Sequence, residues 1–133
     1  LDSDDSHLMT KVGFIAAGRA DVHHAERIFG ALALARPQHD FPHVGMAAAL
    51  LNAGRPADAA ARLGNVQLPP GDATDMVQAF HGLALQLDRR PGEATRLLRA
   101  VAARAQNIAT PSEGARLACK LLGEPPHHPP VAH

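Results

Sequence analysis

The side chains of this 133-residue chain that could bind a metal or move protons are its nine histidines, one cysteine and thirteen carboxylates. A structural or catalytic zinc needs three or four such ligands converging at fixed geometry. His23 and His24 are adjacent, and neighbours on a helix point about 100° apart, which makes them poor joint ligands. His39 and His43 have the i, i+4 spacing, but Asp40 and Pro42 place a helix start between them. His127 and His128 stand among prolines and suit only adventitious metal. Asp4 and Asp5 have no partner at a useful spacing, and Cys119 lies in an apolar helical run that fits a packed thiol better than a reactive one. No HExxH, GxSxG, GxxxxGKS/T or CxxC string occurs, and the Gly-Arg-Pro and Arg-Arg-Pro-Gly strings are turn chemistry. The expectation is a protein that is not an enzyme and carries no metal or cofactor.

Composition points the same way. Hydrophobic residues make up 46% of the chain and aromatic residues 3%, with no Trp or Tyr. An alanine-rich core of that kind favours closely packed helices over strands, so the fold class expected is all-α. Thirteen basic and thirteen acidic residues give a formal net charge of +0, which implies no general attraction to nucleic acid or anionic membrane. The lone Cys119 leaves no internal disulfide framework. No apolar run approaches the roughly 18 to 20 residues of a membrane span, and the acidic lead LDSDDSHLMTK does not resemble an export signal. A cytoplasmic location without membrane insertion is expected.

The elements are organised around Pro42 to Gly64, PHVGMAAALLNAGRPADAAARLG. An apolar run from Val44 to Leu51 is broken by Asn52-Ala53-Gly54, and Pro56 with its fixed φ opens a second run through Ala59, Ala60 and Leu63. This predicts a helical hairpin, with a first helix apolar on more than one side, as a helix between neighbours requires. Copies of it flank it. Ala25 and Phe29 precede Ala59 and Leu63 by 34 residues, and Pro91, Ala94 and Leu98 follow Pro56, Ala59 and Leu63 by 35. A period of that length in two-helix units reads as stacked repeats.

In chain order, Ser6 caps a first helix over Leu8 to Ala17, and Asp21 caps the second, which ends at Arg36-Pro37. Asp40 caps the middle hairpin. After the loop GNVQLPPGD, Asp72 with Asp75 resembles a capping arrangement for a helix carrying Met76, Val77, Phe80, Leu83, Ala84 and Leu87. A last helix is capped within Thr110-Pro111-Ser112-Glu113, with Thr110 ahead of the proline and Glu113 three residues on, and ends at Gly123. It reads as a cap on the final repeat. One domain over residues 1–123 is expected, followed by a disordered Pro/His tail, 124–133.

These residues resemble the tetratricopeptide repeat family. Ala47, Gly54, Ala59 and Leu63 fill that family's small, turn, close-packing and large positions, as do Gly82, Ala94, Leu98 and Val101 in the next unit, with Arg89 where the closing Gly would stand. Ala25, Phe29 and Pro37 fit the first unit, whose turn carries two extra residues between Gly18 and Ala25. The resemblance implies a superhelix of three helix-turn-helix repeats plus a C-terminal capping helix. By the family's register its concave groove would be lined by Leu8, Val12 and Ile15, by Phe41, Val44, Ala48, Leu51 and Asn52, and by Met76, Ala79, Leu83 and Gln86. The ordinary alternative for these side chains is packing between adjacent helices. The groove set contains no Lys or Arg, which suits the apolar face of an amphipathic helix better than an acidic peptide.

The long first turn GRADVHHAE, with histidine between Gly18 and Ala25, is similar to that of the needle-subunit chaperones of bacterial type III secretion, the YscG and PscG family. The middle hairpin also resembles Hrp-type secretion proteins of plant-associated bacteria. That resemblance implies a cytoplasmic chaperone which, with a small helical co-chaperone, sequesters an amphipathic helix of a needle-type subunit and prevents premature assembly. A generic repeat scaffold, or a module that self-associates through the same surface, is the other function these residues suit.

Overall fold

The computed structural model describes residues 21–104 and 109–123, which form six α-helices and no strand. The expected first helix, the groove residues Leu8, Val12 and Ile15, and the Pro/His tail lie outside the described residues. Helix α1 is Val22–Ala35, α2 Phe41–Asn52, α3 Pro56–Gly64, α4 Asp72–Leu87, α5 Pro91–Ala103 and α6 Glu113–Leu122. Each packs on the next, and α2 also packs on α4 and α4 on α6. Helix α4 therefore has four neighbours among the described helices.

Local chemistry sets the helix ends. Asp21 accepts a hydrogen bond from the His24 N–H (3.1 Å) and caps α1, and α1 stops at Arg36 because a residue before proline is pushed out of helical geometry. Pro56 and Pro91 open α3 and α5, where a missing N–H costs nothing. The turns before them are near copies. The Arg55 N–H donates to Leu50 O (2.8 Å) and the Arg90 N–H to Leu85 O (2.9 Å), and each arginine side chain then reaches the carboxylate three residues on, Arg55 to Asp58 at 2.7 Å and Arg90 to Glu93 at 2.6 Å. Both turns need one left-handed residue. Gly54 supplies it at φ +74°, whereas the second turn uses Arg89 at φ 59°.

A side chain in that conformation costs about 1–2 kcal/mol, part of which glycine gives back in unfolded-chain entropy. Arg89→Gly is therefore expected to stabilise the fold by about 0.5–1 kcal/mol, read as a rise in urea midpoint with unchanged slope.

Three expected caps differ. Asp40 occupies the N-cap of α2 but makes no capping bond, because its backbone is already helical (φ −79°, ψ −33°) and a capping side chain needs an extended one. Asp75 does not pair with Asp72 as a cap. The helix starts at Asp72 after Gly71, and the Asp75 carboxylate turns inward to Arg104 and to the Ser112 hydroxyl. The cap of α6 is Ser112, whose Oγ accepts from the Ala115 N–H (3.1 Å), while Thr110 stands outside the helix. Gly123 closes α6 in the left-handed conformation expected of it.

Two apolar clusters fill the interior. The larger joins α1 through α4 and reaches Ala94, around Phe29, Leu32, Met46, Leu50 and Leu63. The smaller joins Ala79, Leu98 and Val101 to Ala115, Ala118 and Cys119 of α6. Glycine sets the spacing at two of these contacts. A Cβ on Gly45 would lie 2.2 Å from the Phe29 ring, and one on Gly114 would lie 2.2 Å from the backbone carbonyl carbon of Asp75. Gly114 thus brings α6 onto the backbone of α4.

Candidate functional site

Helical periodicity assigns the sides of α4. Asp75, Ala79 and Gly82 fall within about 60° of one another and face the C-terminal helices, since Ala79 packs with α6 and Gly82 lies against Leu98 of α5. Val77 and Ala84, seven residues apart, face the opposite way into the larger cluster. Between these two sides runs a third stripe, Met76, Leu83 and Leu87, spaced i, i+7, i+11. Met76 and Leu83 are half-buried and belong to neither core, and Leu87 is 55% exposed.

The stripe extends onto both neighbours. Helix α6 runs parallel to α4, because Gly114 sits on Asp75 and Met76 at their starts and the Gln86 Nε2 donates to Leu121 O (3.3 Å) at their ends. Gly114, Ala115, Ala118 and Cys119 form the buried side of α6, and Leu117 and Leu121 are half-buried on the flank beside α4. On α2 the equivalent positions, 35 residues before Met76, Leu83 and Leu87, are Phe41, Ala48 and Asn52. Phe41 and Ala48 are half-buried and Asn52 exposed. The His39 ring meets Phe41 edge-on at 5.6 Å. The result is one continuous open face on three helices, with no charged residue in its stripe.

Of the residues expected to line the groove, Phe41, Ala48, Asn52, Met76 and Leu83 stand on this face. Phe41, Ala48 and Leu51 are alike half-buried and also pack against the larger cluster. Val44 and Ala79 are corrections: they are 8% and 0% exposed and cannot touch a partner. Gln86 is half-buried, with its amide donating to Leu121 O of α6. All three sit one helical step toward the following helix, on the inter-helix seam, a distinction that the family's register does not make. Leu87, Leu117 and Leu121 replace them. The i, i+7, i+11 spacing of Met76, Leu83 and Leu87 was the signal available in the sequence.

The opposite side of α4 has different chemistry. A cleft of about 450 Å³ opens between α3, residues 65–71, α4 and α5, lined by Leu63, Val77 and Leu97 together with Thr74, Gln78 and His81. The Thr74 hydroxyl donates to Pro69 O (2.7 Å), which folds the loop against the cleft. Burial pushes the His81 imidazole below its ordinary pKa, with the Arg90 charge adding to the effect and Glu93 opposing it. His43 is lowered in the same way by burial, then by Arg62, against Asp40. Among the described residues no group of three or more His, Cys, Asp or Glu is placed to hold a metal, and no helix is long and apolar enough to cross a membrane.

The two histidines give a pH dependence with a definite sign. Both pKa values are depressed on folding, so below the ordinary value of about 6.5 the unfolded chain binds more protons than the folded one. Stability is expected to be level above pH 7 and to fall as pH drops through about 6.5 toward the lower folded values. Thermal melts between about pH 5 and 8 check this, and the His43→Gln/His81→Gln double variant should flatten the decline. A decline that survives in the double variant would assign it elsewhere.

Comparison of the chain with protein-family models, curated proteins and solved structures finds no match, so the reading of the site rests on the geometry of the open face.

Proposed function

We propose that this chain is a tetratricopeptide-like stack of helical hairpins closed by α6, and that its open face holds the apolar side of a partner protein's amphipathic helix. The observation that carries the reading is the uncharged stripe Phe41, Ala48, Met76, Leu83, Leu87, Leu117 and Leu121 on helices α2, α4 and α6, with Leu87 left 55% exposed. A stripe of that width matches anchors at i, i+3, i+4 and i+7 of a bound helix. The near-copied turns at Gly54 and Arg89 and the neighbour pattern of the helices support the repeat assignment. Glu113, Arg116 and Lys120 on the outer side of α6 give the stack the polar end that terminal repeats require.

Within that class, the long first turn GRADVHHAE supports a cytoplasmic type III secretion chaperone that shields a needle-type subunit, with a small helical co-chaperone. Native mass spectrometry of the complex from its host tests the narrower role. One copy of this chain with one or two small secreted-type helical proteins is the expected assembly, and a homodimer or lone monomer would overturn it. Met76→Asp tests the surface itself. It is expected to leave helicity intact and to weaken partner binding by about 100-fold or more, because the interface would have to bury an unpaired carboxylate. Loss of helicity in both Met76→Asp and Leu83→Asp would show that these side chains are core.

A further inference from the structure

We infer that the helix bound on the open face carries basic residues along one edge, an inference that rests on the reading of that face as a docking surface. Nine carboxylates fall among the described residues. Five are ion-paired with arginine, Glu26 with Arg62, Asp58 with Arg55, Asp75 with Arg104, and Asp88 and Glu93 with Arg90, and a sixth, Asp21, pairs with the His24 ring, which is charged only when protonated. The three that form no ion pair are Asp40, Asp72 and Glu113. They stand at the starts of α2, α4 and α6, the three helices that carry the stripe.

These starts lie on one edge. Helices α4 and α6 are parallel, with Gly114 seated on Asp75, which brings Glu113 and Asp72 to the same end. The chain reverses at residues 53–55 and again through 65–71, so α2 runs the same way as α4.

Acidic residues at helix starts are favoured by the helix dipole, and that accounts for the residue types. It does not account for the asymmetry. Helices α3 and α5 also begin with an acidic first turn, at the opposite edge, and there Arg55 and Arg90 neutralise it. Asp40 acts on His43, an imidazole that burial holds toward its neutral form. The open face is thus uncharged along its length and bordered on one edge by three carboxylates that form no ion pair. A partner helix with Lys or Arg beside its apolar stripe would complement that edge, and one with Asp or Glu there would be repelled.

The test uses two synthetic amphipathic helices with the same Leu/Met stripe, one flanked by Lys and the other by Glu, titrated against the full chain. The Lys-flanked peptide is expected to bind at least about tenfold tighter at about 50 mM salt, the gap closing near 0.5 M. The Asp40→Asn/Asp72→Asn/Glu113→Gln variant should lose the preference while still binding both peptides. Equal affinities, or preference for the Glu-flanked peptide, with both abolished by Met76→Asp, would overturn the inference and leave the docking face standing. Binding of neither peptide would overturn both. Self-association abolished by Met76→Asp and unaffected by the triple variant would assign the face to a second copy and also overturn it.

Discussion

Replacing Gly114 with alanine is expected to lift α6 off its seat and to destabilise the fold by about 3 kcal/mol, the upper range for overpacking. The added methyl would sit 2.2 Å from the Asp75 carbonyl carbon and 2.3 Å from the Met76 N. Both are backbone atoms of a helix held by four neighbours, so no side-chain rotation relieves the contact, and the whole of α6 must move. Ala79, Leu98, Val101 and Ala102 would then lose the cover of Ala115, Ala118 and Cys119. Gly92→Ala is the control, because it also places a methyl in a helix but in open space. It should gain up to about 1 kcal/mol from propensity and a less flexible unfolded chain. Urea unfolding gives both values, and hydrogen exchange over Glu113–Leu122 separates release of α6 from global loss. A Gly114→Ala variant as stable as the parent would mean that α6 slides without cost.

What the sequence made legible is what local chemistry determines. Proline with its missing N–H, a left-handed glycine, an aspartate able to cap: each acts within a few residues, so Pro56, Pro91, Gly54, Asp21 and Gly123 stand where their types require. The even period of Ala25, Ala59 and Ala94 was legible for a similar reason, since close packing admits only a small side chain there, and all three are fully buried.

Which side of a helix meets which neighbour was less legible, because apolar side chains serve a core and a docking face alike. Ala79 and Met76 are three residues apart and chemically both suitable for a groove, yet one is sealed by α6 and the other is open. Leu34 shows the converse, sitting within the apolar run of α1 and standing 87% exposed. An acid in the first turn fits a capping pattern, but the partners of Asp75, Arg104 and Ser112, lie 29 and 37 residues away, beyond any local rule.

Asp75 is where the second large effect is expected. At 7% exposure it is the buried charged side chain among the described residues, and it joins three elements. One oxygen receives the Arg104 guanidinium at the end of α5, and the other accepts the Ser112 hydroxyl (2.8 Å) at the start of α6. Arg104 also donates to Gln78 (2.9 Å), so its charge keeps a partner when Asp75 is removed. Arg104 is 44% exposed, and solvent screens its share of the ion pair. The main loss in Asp75→Ala is therefore the buried bond to Ser112 and a small cavity, together about 2 kcal/mol. Asp75→Asn keeps the volume and one acceptor and should cost about 1 kcal/mol. Ser112→Ala removes both the cap and this bond, so the Asp75→Ala/Ser112→Ala double variant should be less destabilised than the sum of its parts. Strict additivity would show that the two side chains do not act together. The same network fixes where α6 begins, and with it where Leu117 and Leu121 lie beside Met76 and Leu83. Loss of Asp75 should accordingly weaken partner binding at temperatures where the chain is still folded, an effect that stability alone would not produce.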